Sequence, residues 1–150
     1  MIIDKLAWVY IKNQQLLVVR SKGKDLFYIP GGKREQGETD EDALIRETQE
    51  ELSVTLRGQT IRYMNSFQAQ AHGRPLGDLV KVTCYIADFD GRLEVNSEIE
   101  ELAWVGYTDK NKCSQVTQLI LDWLKTNNLI TLKVSTEEEE VEKSSRFFRT

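Results

Sequence analysis

A glycine pair followed at a fixed distance by a carboxylate-rich helical segment most restricts how this chain can fold. Gly31-Gly32-Lys33-Arg34-Glu35-Gln36-Gly37-Glu38 runs on through Arg46-Glu47-Thr48-Gln49-Glu50-Glu51. On a helix of about 3.6 residues per turn, Glu47, Glu50 and Glu51 stand as i, i+3 and i+4 and project from one face. Three carboxylates so placed repel one another, and if the helix packs into a domain the cluster needs compensation. A hard divalent cation such as Mg²⁺ takes oxygen ligands and supplies it. Taken alone, an acidic helix face reads as a solvated surface and a glycine pair as a turn. Their joint spacing is what points to a metal site.

The surrounding sequence reads as strands and one further helix. Residues 6–11 and 16–19 are rich in branched and aromatic side chains, and the polar Lys12-Asn13-Gln14-Gln15 between them reads as the turn of an antiparallel hairpin. Residues 26–29 make a short strand that Pro30 and the glycine pair end. Thr39 is a good N-cap, and Asp40, Glu41 and Asp42 suit the positive end of a helix dipole, so a helix is expected from about Asp40 to Leu52. Its buried stripe is Leu44, Ile45, Thr48 and Leu52, roughly opposite Glu47 and Glu50. Segments 60–67, 79–89 and 101–105 follow as strands, and Val116, Leu119, Ile120, Trp123 and Leu124 mark a second helix over 114–126. The loop 68–78 is long for a hairpin and carries the single histidine, His72, near Arg74. Trp104 and Trp123 read as core, while Trp8 and Tyr28 are candidates for stacking on a base.

Length and composition set outer limits. The chain has 150 residues, 40% hydrophobic and 29% charged, a balance suited to one globular domain. We expect that domain over 1–134, with the acidic 135–150 as a separate, mobile tail. A net charge of −4 argues against a broad grip on a polynucleotide backbone. It leaves room for a small phosphorylated ligand held by a metal ion and a few local cations. Cys84 and Cys113 fit no metal spacing and read as reduced core residues. There is no apolar run long enough to span a membrane, and a cytoplasmic protein, monomer or homodimer, is expected.

The spacing Gly32, five residues, Glu38, seven residues, Arg46-Glu47, two residues, Glu50-Glu51, one residue, Ser53-Val54 resembles the Nudix box, G-x5-E-x7-R-E-U-x-E-E-x-G-U, where U is a bulky aliphatic. Six fixed positions coincide. Thr48 stands where the pattern has an aliphatic residue, and Ser53 where it has glycine. If that last position needs a left-handed backbone, serine costs on the order of 1 kcal/mol relative to glycine. The surrounding Pro30-Gly31-Gly32-Lys33 and Gly37-Glu38-Thr39 look similar to the MutT branch of the family.

The resemblance implies an α/β (α+β) fold, the Nudix α/β/α sandwich with a mixed β-sheet. It implies that Glu47, Glu50 and Glu51 bind Mg²⁺ or Mn²⁺ with the backbone carbonyl of Gly31, and that Glu38 and Arg46 brace the loop against the helix. A further acidic group from outside the box would come from Glu98, with Glu100 and Glu101 as competitors. Glu50, Glu51 or Glu98 would then act as general base, and Lys33, Arg34 and Arg74 are candidates for the substrate phosphates. The implied activity is metal-dependent hydrolysis of a nucleoside triphosphate or another nucleoside diphosphate-linked compound, a small nucleotide rather than a polynucleotide. ADP-ribose or a nucleotide sugar is the alternative substrate, and a nucleotide-binding module without catalysis is the alternative class.

Overall fold

Strands buried on both faces read as continuous apolar runs rather than as alternating ones, and residues 16–19 are such a run. The computed structural model describes residues 1–131, so the expected tail 135–150 lies outside the described residues. In chain order the elements are β1 Ile2–Trp8, β2 Ile11–Lys12, β3 Gln15–Ser21, β4 Gly31–Gly32 and α1 Asp40–Leu52. There follow β5 Thr55–Leu56, β6 Arg62–Gln70, β7 Leu79–Ile86, β8 Phe89–Asp90, β9 Ile99–Val105 and α2 Gln115–Thr126.

A four-stranded mixed sheet has the order β4-β1-β7-β6, with β1 and β7 parallel and the other pairs antiparallel. A three-stranded antiparallel sheet, β2-β3-β9, and the small β5-β8 pair complete the architecture. Because successive strand residues point to opposite faces, β1 and β3 each feed two cores. Leu6, Trp8, Leu17 and Val19 pack with Ala43, Leu44 and Leu52 of α1. Ala7, Val9, Leu16 and Val18 pack with Val116, Ile120, Leu121 and Leu124 of α2. The strands therefore lie between two helices, as an α/β/α sandwich requires.

Three local expectations change. Residues 6–11 and 16–19 do not form one hairpin ladder. β1 pairs with β4 and β7, and only Ile11↔Leu16 and Lys12↔Gln15 close the turn, because β1 gains a full-length parallel partner in β7. Residues 26–29 are not a strand but two isolated bridges, Val19↔Tyr28 and Phe27↔Cys113. Trp8 is fully buried, stacked on Tyr10 at 5.2 Å with its indole N–H donating to the Ala87 carbonyl at 3.2 Å, so it has no face left for a base. Both cysteines are free and buried. Among the described residues, no helix is long and apolar enough to cross a membrane.

Candidate functional site

The site is assembled where β4 meets α1. Thr39 caps the helix from extended backbone, its hydroxyl accepting from the Asp42 N–H at 3.1 Å, so α1 starts at Asp40 with three acidic residues in its first turn. It ends at Ser53, whose φ of 64° and ψ of 20° are left-handed, the backbone for which glycine is the usual choice. Ala43, Leu44, Thr48 and Leu52 fill the buried stripe, with Ile45 only partly buried. The Thr48 hydroxyl donates to the Leu44 carbonyl at 2.7 Å, so its methyl packs without leaving a polar atom unsatisfied.

The three helix carboxylates occupy three environments. Glu51 is 1% exposed, and its Oε1 accepts the Gly31 N–H at 2.8 Å. Burial pushes its carboxyl up to about 8; the Gly31 N–H opposes this, while Glu47 and Glu98 reinforce it and Lys5 opposes it. Glu47 is partly buried and is also pushed up by burial, against a hydrogen bond from Arg46. Glu50 reaches into solvent, its side chain 51% exposed.

Two glycines make this arrangement possible. A Cβ on Gly31, at φ 148°, would lie 1.9 Å from the Leu6 carbonyl oxygen, so no larger residue lets β4 pair with β1 there. A Cβ on Gly32 would lie 2.4 Å from the Glu47 carboxyl carbon, so the missing side chain is the space that this carboxylate occupies.

Arg46 is the hub that ties loop to helix. Its Nε and Nη2 donate to the two oxygens of Glu38 at 2.7 and 2.8 Å, Nη2 also donates to the Lys33 carbonyl at 3.1 Å, and Nη1 donates to Glu47 at 2.9 Å. Glu50 lies 3.4 Å from the same guanidinium. The fork of Arg46, with a bond from the Glu35 N–H, holds Glu38 at about 2, far below the usual carboxylate value. Among the described residues, no three acidic, histidine or cysteine side chains stand together as a ready chelate. The donors are nonetheless hard oxygens, and Glu51 has no basic side chain within ion-pair distance among the described residues, so a cation would compensate the charge of its ionised form. In this arrangement Arg46 draws Glu47 and Glu50 toward itself.

The remaining candidates separate clearly. Glu98 stands within electrostatic reach of both Glu47 and Glu51, its carboxylate accepting from the Ser97 hydroxyl at 2.6 Å. Glu100 and Glu101 instead pair with Arg20 at 3.5 and 2.7 Å. Arg34 is held between Asp4 at 2.5 Å and Asp40 at 2.8 Å, pinning β1 to the start of α1. Arg74 lies 3.5 Å from Asp78, and Lys33 is exposed beside the loop.

A cavity of about 320 Å³ opens beside this site. Gly31 lines it, together with Lys5, Ile3 and Ala7 of β1, Val80 and Val82 of β7, Tyr28, His72 and Arg74, and Val116, Thr117 and Ile120 of α2. Tyr28 is half-buried there and shares a hydrogen bond with Ser21. His72 Nε2 lies 2.8 Å from Asp25 across the neighbouring loops. Sequence reasoning missed Lys5, Ser114 and Thr117. The one available signal was a charged pair, Asp4-Lys5, inside a strand of otherwise apolar residues, which reads equally as an exposed edge.

The family model described as the NUDIX domain matches residues 5–123. No curated protein sequence matches the chain significantly. Among solved structures, the Escherichia coli ORF135 protein is 24% identical with a TM-score of 0.65, covering 83% of this chain and 89% of that one. A MutT NUDIX hydrolase from Burkholderia pseudomallei is 20% identical with a TM-score of 0.65, covering 81% and 97%. A bifunctional NMN adenylyltransferase/ADP ribose pyrophosphatase from Francisella tularensis, complexed with AMP and a Mn ion, is 20% identical with a TM-score of 0.60, covering 84% and 42%. At these identities the structural likeness is one of fold.

Proposed function

Because the chain belongs to the Nudix family of hydrolases, we propose that it is a divalent-cation-dependent pyrophosphohydrolase acting on a nucleoside triphosphate or a related nucleoside diphosphate-linked compound. The observation that carries this reading is the position of Glu51: buried, near Glu47 and Glu98, and hydrogen-bonded to the amide of Gly31, a residue that also lines the cavity. A nucleotide seated in the cavity would extend its phosphates toward these carboxylates.

Glu47, Glu50 and Glu51, with the Gly31 carbonyl, would hold Mg²⁺ or Mn²⁺, whose bound charge offsets that of the phosphate oxygens and acidifies a coordinated water. The protein's own groups do the rest. Water oxygen bonds to phosphorus, the bridging phosphorus–oxygen bond breaks toward the leaving phosphate, and the water proton passes to a carboxylate oxygen of Glu50, Glu51 or Glu98. Glu38 and Arg46 hold the glycine turn against α1, so that the carboxylates and the cavity keep their spacing. Lys33, exposed in the loop after the glycine pair, would be the contact to substrate phosphate. Arg34 braces β1 and α1 instead.

The test is to incubate the protein with Mg²⁺ or Mn²⁺ and a panel of nucleoside triphosphates, ADP-ribose and nucleotide sugars, and to identify phosphate-containing products by phosphorus NMR. Turnover of a triphosphate supports the first substrate class, and cleavage confined to ADP-ribose or nucleotide sugars supports the second. No turnover of any member would refute the enzymatic reading.

A further inference from the structure

The arginines near the site are committed, while Lys24 and Lys33 are exposed to solvent. Arg46 binds Glu38 and Glu47, Arg34 binds Asp4 and Asp40, and Arg20 binds Glu101. Lys5 differs: it lies in the middle of β1, opposite Val82 of β7, and is partly buried in the cavity wall. Among the described residues, its ammonium makes no hydrogen bond and no ion pair, although Glu51, Glu47 and Lys33 lie within electrostatic reach. Burial lowers its pKa, Lys33 adds to that, and Glu51 and Glu47 oppose it. A strand cation that has given up water without gaining a partner is costly unless an anion meets it.

Its neighbours indicate which anion. The cavity walls beside Lys5 are apolar, formed by Ile3, Ala7, Val80, Val82 and Ile120, and suit a base and sugar. Gly31 also lines the cavity, and its amide holds Glu51. Lys5 shares one cavity with these apolar walls and with Gly31, so a nucleotide seated there would bring a phosphate within reach of its ammonium.

Resting on the nucleotide reading above, we propose that Lys5 is a positioning and specificity residue that binds the sugar-linked phosphate, and so selects nucleoside phosphates over unphosphorylated nucleosides. After cleavage this phosphate stays on the nucleoside fragment, so Lys5 also contacts the nucleoside monophosphate when that is the product.

The experiment is calorimetric titration in chelator, without divalent cation, of wild type, Lys5→Met and Lys5→Arg. The probes are the monophosphates of adenosine, guanosine, cytidine and uridine, and the four parent nucleosides. We expect wild type to bind at least one monophosphate more tightly than its nucleoside. Lys5→Met should weaken that monophosphate at least ~10-fold, as expected for losing a charge-assisted hydrogen bond, and change the nucleoside less than about 2-fold. Lys5→Arg should recover most of the loss. The same melting temperature or higher for Lys5→Met would show that the effect is not one of folding. Unchanged monophosphate affinity, an equal loss for nucleoside and monophosphate, or no monophosphate binding by wild type would overturn the assignment. Any of these alongside turnover of the substrate panel by wild type would remove Lys5 while leaving the hydrolase reading intact.

Discussion

Replacing Glu51 with glutamine should make the cation-free protein more stable and the enzyme far slower, and both effects follow from one buried carboxylate. With a usual value of 4.5 raised to about 8 in the fold, Glu51 holds its proton in the native state at pH values where the unfolded chain has lost it. The native state thus binds more protons between these values, so stability is fully present below pH 4.5 and falls as pH rises through 8. At about 1.36 kcal/mol per unit, the loss relative to acid conditions is under ~1 kcal/mol at pH 5, about 3 at pH 7 and roughly 4–5 by pH 9. Glutamine keeps an oxygen to accept the Gly31 N–H and does not ionise. In chelator, denaturant unfolding across pH 5–10 should show Glu51→Gln gaining on wild type by these amounts and levelling off above pH 8. Added Mg²⁺ should narrow the gap by stabilising wild type selectively. In the hydrolysis assay the same variant should lose at least ~10²-fold in kcat. Parallel stability curves for the two proteins would refute the burial argument, and retained activity would remove Glu51 from the reaction.

Four other substitutions test separate parts of the site. Ser53→Gly should raise stability by about 1 kcal/mol in denaturant unfolding and leave kcat unchanged, since φ 64° is nearly free of strain for glycine; a loss of stability would contradict this. Gly31→Ala should cost on the order of 2 kcal/mol or more, because its Cβ would overlap the Leu6 carbonyl, and a stable, fully active variant would refute that contact. Glu38→Gln should flatten the acid limb of the stability profile: a carboxylate lowered to about 2 adds stability above pH 4.5 that is lost as pH falls through 2, and an unchanged limb would count against the Arg46 fork. Arg34→Gln should lower the melting temperature with little change in KM, because its partners are Asp4 and Asp40; a selective rise in KM would return it to the substrate phosphates.

What could be read from the amino-acid order was the local part. Thr39, the acidic first turn and the apolar stripe defined α1 from Asp40 to Leu52, because capping and helical periodicity act within a few residues. The left-handed turn at Ser53 was legible from its place in the motif, and so was the Glu38–Arg46 brace. Tertiary structure decided what depends on distant partners. The parallel pairing of β1 with β7 joins Leu6 to Thr83, and no local pattern reveals such a partner. That pairing turns the supposed hairpin strand into the wall of a cavity and places Lys5 there. Helical spacing put Glu47, Glu50 and Glu51 side by side, but only packing buried Glu51, left Glu50 in solvent and drew Glu47 toward Arg46. The identity of a side chain sets which charges it can carry; the depth at which the fold buries it, and the groups brought within reach, determine what each charge costs and what it can bind.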